Sequence, residues 1–309
     1  MFKLPINEAH DGRRADRIAR KLMPNLKLGE IYALFRKGAV KSGKTRIKSS
    51  YRLKKGETIT FFIDPSEIIR GVFSEKTVAT LKGSRFFKQN YKPVFEDEHL
   101  LVLDKPAGIP VHTGTGHKKG TTMIDILHSA FASKCSDDGI FRPSFVNRLD
   151  KDTSGLIIAA KTQISLKNMN RIVKNREINK IYSALVFGKP SPEKGKIKLP
   201  LKRSASGRVT ADDKGLRSET VYKLVKNYKN YSLLEVRLIT GRMHQIRVHF
   251  SENGFPIIGD SKYGFKPNAK SFTIKRQMLH CSGLDFLHPV SGKNIKVESG
   301  LPEDFMRLV

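Results

Sequence analysis

Strand-length segments of apolar residues recur through the last two-thirds of this 309-residue chain, and they constrain its fold more than any other feature. Their bounds are 100–103, 155–160, 182–187 and 233–239. Segments predicted to be helical follow three of them, at 122–133, 164–173 and 243–252. Because strands and helices alternate without the regular rhythm of a parallel sheet, we predict an α+β fold. Its larger part would be a mixed, mainly antiparallel sheet flanked by helices.

The first 65 residues predict a smaller unit of two short helices and a hairpin. An apolar stripe at helical spacing is formed by Ala15, Ile18, Ala19 and Leu22. It predicts a helix over 13–23 with Asp11 as its N-terminal cap. A second helix is predicted over 28–37, and strands around residues 40 and 47 and over 58–63 would complete the unit.

These patterns divide the chain into three parts. We predict a first domain at 1–65, a connector at 66–90 that follows no clear period, and a second domain at 91–309. The second domain is long enough to bury its own core. The polar stretch 203–220 within it predicts a loop or an exposed hairpin.

The charge of the chain points to a polyanionic partner. Lysine and arginine number 58 against 29 acidic residues, a formal charge of +29. Residues 1–65 alone carry a net +10 and are about twice as basic per residue as the remainder. This excess indicates a nucleic acid first and an anionic membrane second.

Membrane insertion and disulfide or zinc chemistry are not favoured. The chain has no run of about 18 apolar residues, and its first residues lack the apolar core of a signal peptide. Its two cysteines, Cys135 and Cys281, lie far apart and outside any Cys-x-x-Cys pair. We therefore expect a cytoplasmic protein without a disulfide framework.

Segment 147–155 (Asn-Arg-Leu-Asp-Lys-Asp-Thr-Ser-Gly) directly precedes the apolar run that begins at Leu156. A carboxylate in a polar loop beside a buried strand can be held in a fixed position. The flanking Arg148 and Lys151 would surround Asp150 with positive charge. The alternative is a solvated polar turn.

Segment 241–249 (Gly-Arg-Met-His-Gln-Ile-Arg-Val-His) places Arg242 and Arg247 five residues apart near a predicted helix start. Such an arrangement suits contact with a phosphate or a carboxylate. The alternative is a basic helix end on the surface. A metal site is not favoured, because His244 and His249 are five residues apart rather than the four that align two ligands on one helix face.

Two further segments are candidates for functional residues. Tyr182, in the apolar strand 180–186, is either a core residue with a satisfied hydroxyl or a flat face for a base. Segment 103–112, with Pro106, Gly108 and Pro110, predicts a rigid loop after a strand. The glycines do not have the spacing of a dinucleotide-binding motif, and no Walker motif occurs. A nucleotide cofactor is therefore not expected.

Taken in order, these segments resemble the RluA-type pseudouridine synthases. That family's pattern is His-Arg-Leu-Asp-x-x-Thr-Ser/Thr-Gly, then Lys-x-Tyr-x-Ala, then Gly-Arg-Thr-His-Gln-Ile-Arg-Val-His. The chain matches it at 148–150, 153–155, 180–184, 241–242 and 244–249. It also carries the later pairs at 259–260, 263–264, 279–280 and 288–289. The resemblance covers about residues 91–290.

The resemblance implies isomerisation of uridine to pseudouridine in RNA, a reaction without redox change and hence without a cofactor. It implies that Asp150 is the catalytic carboxylate, that Arg242 pairs with it, and that Tyr182 stacks on the flipped uracil. Arg148 matches the residue that fills the space left by the base. Attack on the sugar, addition to the base and removal of a sugar proton stay open as the role of Asp150.

The first domain resembles the S-four (alpha-L) RNA-binding module over residues 15–61. In that module the second helix and the following hairpin form the RNA surface. The basic residues that match this surface in type and place are Arg36, Lys37, Lys41, Lys44, Arg46 and Lys48. The module favours large-subunit ribosomal RNA as substrate, with transfer RNA as the alternative, and we expect the protein to be a monomer.

Two positions depart from the family pattern. Asn147 stands where the family has His, and Met243 stands where it has Thr. Both flank predicted site residues. The alternative function is therefore an RNA-binding or ribosome-assembly factor with an inactive synthase-like domain.

Overall fold

The structure, a computed structural model, describes residues 1–8, 10–23, 26–63, 83–112, 121–131, 141–264, 274 and 276–309. It divides into two compact units. The first comprises 1–84, 127–143 and 162–164, and the second comprises 85–126, 144–161 and 165–309. Residues 66–82, which are most of the predicted connector, lie outside the described part.

The described residues up to 63 of the first unit form two helices and a four-stranded sheet. The helices are α1 (Ala15–Leu22) and α2 (Leu28–Arg36). The strands are β1 (Phe2–Pro5), β2 (Val40–Ser42), β3 (Thr45–Arg46) and β4 (Thr58–Phe61), in the order β1-β4-β2-β3. The predicted apolar stripe of α1 is fully buried, and it packs with Ile31 and Phe35 of α2 in one core.

Two features of the first unit differ from prediction. Asp11 does not cap α1, and its Oδ1 instead accepts a hydrogen bond from the backbone N–H of Lys55 at 3.0 Å. The backbone of residues 12–16 bonds to residues 49–53, so the helix begins only at Ala15. Strand β1, which was not predicted, pairs antiparallel with β4.

The second unit is built on one ten-stranded sheet and a separate two-stranded hairpin. The strands are β5 (Pro93–Glu96), β6 (Leu100–Lys105), β7 (Ser144–Phe145), β8 (Ser154–Ala160), β9 (Asn179–Phe187), β10 (Lys194–Lys198), β11 (Leu201–Arg203), β12 (Val209–Ala211), β13 (Glu219–Asn227), β14 (Tyr231–Leu238), β15 (Leu279–Leu287) and β16 (Asn294–Glu298). The sheet order is β10-β13-β14-β9-β15-β8-β6-β5, with β16 beside β15 and β7 beside β8. Only the β15–β8 pair is parallel among the described strands, which agrees with the predicted mixed, mainly antiparallel sheet. The hairpin β11–β12 lies in the polar stretch predicted to be a loop or hairpin.

The remaining described helices are α3 (Arg85–Asn90), α4 (Met123–Ala130), α5 (Gln163–Asn175), α6 (Gln245–Glu252) and α7 (Glu303–Met306). Helix α3 falls inside the predicted connector, where the sequence showed no clear period. Within the described ranges, no helix is long and apolar enough to cross a membrane.

Glycine at position 155 lets two central strands approach each other. Gly155 has φ +110°, and it pairs with Cys281 in the parallel β8–β15 ladder. A Cβ atom built at Gly155 would lie 2.3 Å from the backbone oxygen of Cys281. The loop 146–153 enters the sheet at this point, so the close approach sets where that loop lies.

Replacing Gly155 with Ala should therefore destabilise the second unit strongly. The left-handed conformation costs about 1–2 kcal/mol for a residue with a Cβ, and forcing an atom into a packed core adds about 1–3 kcal/mol. Urea denaturation would measure the loss. Gly108→Ala is the matched control, because Gly108 has φ +88° but a Cβ added there would meet no atom within 4 Å. Equal losses in the two variants would contradict the close-approach explanation.

Candidate active site

The loop that carries Asp150 is attached to strand β8 by its first residues. The backbone N–H of Val146 donates to the oxygen of Ile158 at 2.9 Å. The Asn147 side chain is buried, and its Oδ1 accepts the N–H of Ile158 at 2.7 Å. Asn147, one of the two departures from the family pattern, thus completes a backbone pairing.

A buried lysine holds the other side of this loop. Lys105 ends β6 and is completely buried, and its Nζ donates to the carbonyl oxygens of Pro106, Ile109 and Lys151 at 2.8–2.9 Å. Burial lowers the pKa of Lys105 to about 7. The three carbonyls match the three donors of an ammonium group. Sequence analysis did not single out Lys105, although a lysine at the end of an apolar strand is a usable signal.

Two residues that precede β15 fix the end of the loop. The guanidinium of Arg276 donates to the backbone oxygen of Asp152 at 3.3 Å, and the side-chain amide of Gln277 donates to Thr153 Oγ1 at 3.2 Å. The loop is therefore anchored along its length, and the Asp150 carboxylate is presented from a fixed backbone.

The partner of the Asp150 carboxylate is Arg247, in the first turn of α6. Its Nη1 donates to Asp150 Oδ2 at 2.8 Å. The same guanidinium forms two parallel bonds with Asp260, at 2.7 and 2.8 Å. Asp260 is 1% exposed, whereas the Asp150 side chain is 27% exposed and faces the pocket.

The two carboxylates beside Arg247 favour its protonated form. Burial acts to lower the pKa of Arg247, but the hydrogen bonds and negative charges of Asp260 and Asp150 outweigh burial and raise the pKa. Arg247 can therefore stay protonated while it orients the Asp150 carboxylate.

The structure does not show the expected pairing of Arg242 with Asp150. The Nε of Arg242 donates instead to the backbone oxygen of Arg217 at 3.3 Å, and its backbone N–H donates to Gln245 Oε1 at 3.0 Å. Arg242 precedes α6, whereas Arg247 lies on the buried face of that helix. The spacing of the two arginines does not reveal which one faces Asp150, because that depends on where the helix begins.

Tyr182 lies in the middle of the sheet, between Val236 of β14 and Cys281 of β15. It is 5% exposed, yet it lines the same pocket as Asp150. Burial raises the pKa of Tyr182 well above its ordinary value, and burial likewise raises the pKa of Cys281 to about 12. Both groups are therefore neutral near pH 7.

The predicted residues of the second unit converge on this pocket of about 290 Å³. Asp150, Tyr182, Arg148 and Arg242 all line it. Arg148 is exposed, and apolar side chains of Leu149, Ile246 and Leu279 complete the wall. One chain thus supplies a carboxylate, an aromatic ring and two cations around an apolar slot.

The predicted RNA-surface residues lie in the first unit. Arg36 and Lys37 end α2, and the others follow along the β2–β3 hairpin and its continuation. All are exposed except Lys41, which is half-buried with its Nζ 5.0 Å from the centre of the Phe62 ring. The side chain of Arg46 folds back over Gly38, where a Cβ would lie 2.5 Å from Arg46 Nε.

Comparisons with known proteins agree on one family. A family model described as RNA pseudouridylate synthase matches residues 99–252. The chain is 40% identical to ribosomal large subunit pseudouridine synthase D of Zymomonas mobilis over 224 residues, 70% of each protein. It is 31% identical to ribosomal large subunit pseudouridine synthase C of Vibrio cholerae over 307 residues, which is 96% of this chain and 92% of that protein. The solved structure of human RNA pseudouridylate synthase domain containing 4 shares the fold, with a TM-score of 0.58 at 21% identity over 74% of this chain and 94% of that one.

The two arginines of segment 241–249 should differ sharply in their effect on stability. Arg247→Met leaves Asp260 buried without its partner, so the free energy of unfolding should fall by about 3–5 kcal/mol. Arg242→Met removes one bond to a carbonyl at a partly exposed site and should cost at most about 1 kcal/mol. Chemical denaturation of the two variants measures the difference, and a loss at Arg242 as large as at Arg247 would contradict the assignment.

Proposed function

The chain belongs to the RNA pseudouridylate synthase family, and from this we propose that it isomerises uridines of large-subunit ribosomal RNA with Asp150 as the catalytic carboxylate. The observation that carries the proposal is the Asp150 carboxylate held by Arg247 beside Tyr182 in one pocket. Ribosomal RNA is the proposed substrate because relatives named ribosomal large subunit pseudouridine synthases match up to 98% of the chain.

The reaction requires little of the protein beyond position and charge. The uracil is detached from the sugar at nitrogen, rotated, and rejoined through carbon 5, with no net change of atoms or electrons. Because Arg247 orients Asp150 from the buried side, the exposed side of the carboxylate faces the reacting nucleotide. Such fixed placement of a reacting group supplies a large part of an enzymatic rate.

A uridine within a stack cannot reach this carboxylate, so the base must be flipped into the pocket. Tyr182 offers its ring to the flipped uracil, and the apolar wall formed by Leu149, Ile246 and Leu279 encloses it. Arg148 is exposed at the pocket, where it enters the space the base has left. Arg242, whose guanidinium meets a neutral carbonyl, contacts a phosphate of the RNA rather than Asp150.

The first domain, residues 1–65, acts as an S-four-like RNA-binding domain, and residues 91–309 form the catalytic domain. Support comes from the two helices and hairpin of the first unit and from the basic side chains exposed on α2 and the hairpin. The four pocket residues lie in one chain, so the proposed site needs no residue from a second copy, and the proposed enzyme is a monomer. It works in the cytoplasm, where its proposed substrate is found.

Asp150→Asn tests the function directly. Wild-type protein incubated with unmodified large-subunit RNA should form pseudouridine, detected by sequencing after chemical tagging. The Asn variant keeps the shape but loses the charge, so the rate should fall by at least about 10²–10⁴. Affinity should stay within about tenfold, because many phosphate contacts supply it.

Two outcomes would contradict the proposal. Comparable turnover by the Asn variant would remove Asp150 from the reaction. Tight RNA binding by a wild-type protein that forms no pseudouridine, on either ribosomal or transfer RNA, would favour the alternative of an inactive RNA-binding factor.

Tyr182→Phe and Tyr182→Ala should separate stacking from the hydroxyl. Phe keeps the ring, so RNA binding should persist while the reaction slows. Ala should weaken binding as well, by the loss of stacking worth about 1–3 kcal/mol. Single-turnover rates and filter-binding affinities measure both effects. If the two substitutions changed binding equally, Tyr182 would be a core residue only.

Neutralising the exposed hairpin should change the salt dependence of RNA binding. Replacing Lys44, Arg46 and Lys48 with Gln should reduce the slope of log affinity against log salt by about 0.7–0.9 for each lost phosphate contact. Lys3, Lys54 and Lys55, exposed elsewhere in the same unit, give a control with the same charge change. Equal slopes in the two triple variants would show that the hairpin does not hold the RNA.

A further inference from the structure

His244 lies between the reactive carboxylate and a buried tyrosine. It precedes α6 in a left-handed conformation, with φ 54° and ψ 20°. Its Nδ1 is 2.7 Å from the hydroxyl of Tyr263, and its Nε2 is 3.6 Å from Asp150 Oδ2. The proposed function assigns His244 no role.

The hydrogen bonds of Tyr263 favour one position of the imidazole proton. The backbone N–H of Val209, in the β11–β12 hairpin, donates to the Tyr263 hydroxyl oxygen at 3.2 Å. With that acceptor site in use, the hydroxyl can direct its single proton to Nδ1 of His244. A neutral imidazole that accepts at Nδ1 carries its own proton on Nε2.

The carboxylate favours the same tautomer from the other side. With the proton on Nε2, His244 presents an N–H to Asp150 Oδ2. With the proton on Nδ1, a nitrogen lone pair would face the carboxylate oxygen instead, and the Tyr263 proton would lose its acceptor. Both neighbours of the ring therefore select the Nε2–H form.

His244 and Arg247 both face the same oxygen of Asp150. Arg247 Nη1 donates to Oδ2 at 2.8 Å, and His244 Nε2 faces Oδ2 from the start of the helix. Within the described part of the chain, Oδ1 accepts no hydrogen bond. The two donors thus distinguish the two oxygens of a group that is chemically symmetric.

We propose that His244, held by Tyr263 in its neutral Nε2–H tautomer, is a positioning residue that fixes Asp150 Oδ2 together with Arg247 and leaves Oδ1 as the reacting oxygen. The proposal rests on the proposed function of Asp150. The 3.6 Å separation shortens to a hydrogen bond when the pocket closes on RNA, as such contacts commonly tighten in the substrate complex.

The charges around the ring are consistent with a neutral imidazole. Burial lowers the pKa of His244, with Arg247 and Lys262 acting in the same direction and Asp150 and Asp260 against it. The ring is therefore uncharged near pH 7.5.

The tautomer can be read without any activity measurement. Protein labelled with ¹⁵N-histidine gives imidazole nitrogen shifts that distinguish Nε2–H from Nδ1–H, and His244→Gln identifies the signal among the nine histidines. In free wild-type protein at pH 7.5 we expect the Nε2–H form. In Tyr263→Phe the ratio of tautomers should move toward Nδ1–H by about tenfold, the value of one hydrogen bond. Tyr222→Phe is the matched control, because its hydroxyl bonds the Pro192 oxygen away from Asp150.

Activity tests the positioning role. His244→Leu should reduce the single-turnover rate of pseudouridine formation by about 10–100-fold, with RNA affinity unchanged within about threefold. His244→Gln has the same backbone strain but retains an N–H near the Nε2 position, so it should recover most of that loss.

An Nδ1–H tautomer in wild-type protein, or equal rates for the Leu and Gln variants, would overturn the proposal. If wild-type protein formed no pseudouridine, the proposed function would fail, whereas the nitrogen shifts would still decide the tautomer.

Discussion

The arrangement of the site depends on one arginine shared by two carboxylates. Asp260 is almost completely buried, and a buried carboxylate without its partner costs several kcal/mol. Arg247 is therefore held by Asp260 through two parallel bonds, and its remaining donor is directed at Asp150. The buried Arg247–Asp260 pair fixes the orientation of the guanidinium, and the guanidinium in turn orients the half-buried Asp150 carboxylate.

The position of Asp150 is set independently by its own loop. Lys105 joins the Lys151 carbonyl of the loop to the Pro106 and Ile109 carbonyls after β6, and Gly155 allows β8 to approach β15 where the loop ends. The Asp150 carboxylate is thus positioned by the loop that precedes β8, and the Arg247 guanidinium is positioned by α6. Their meeting at 2.8 Å requires both to be rigid, which explains why buried polar groups surround the half-buried Asp150 carboxylate.

In the proposed function, the two units make different kinds of RNA contact. The first unit exposes a basic helix end and hairpin, which suit phosphates and carry no information about sequence. The second unit offers a narrow apolar pocket with one ring and one carboxylate, which suits a single flipped base. The proposed function thus assigns affinity and chemistry to separate parts of the chain.

Much of this could be predicted from local sequence. The apolar runs predicted the central strands, the stripe from Ala15 to Leu22 predicted α1, and the polar motif 147–155 predicted the loop that carries Asp150. Asp150, Tyr182, Arg148 and Arg242 all line one pocket. Strand β1 was missed because its pairing with β4 bridges more than 50 residues, and Asp11 was misassigned because backbone contacts with residues 49–53 delay the helix.

The sequence by itself determined which residue types are available: one motif carboxylate, two nearby arginines, an aromatic strand residue and an excess of positive charge. Only the tertiary structure decided which arginine holds the carboxylate. Arg247 was selected because the left-handed turn at His244 starts α6 so that Arg247 faces Asp260 in the interior, while Arg242 stays outside the helix. Periodicity specifies the faces of an element, but the partner of a charged group depends on which distant residue is buried opposite it.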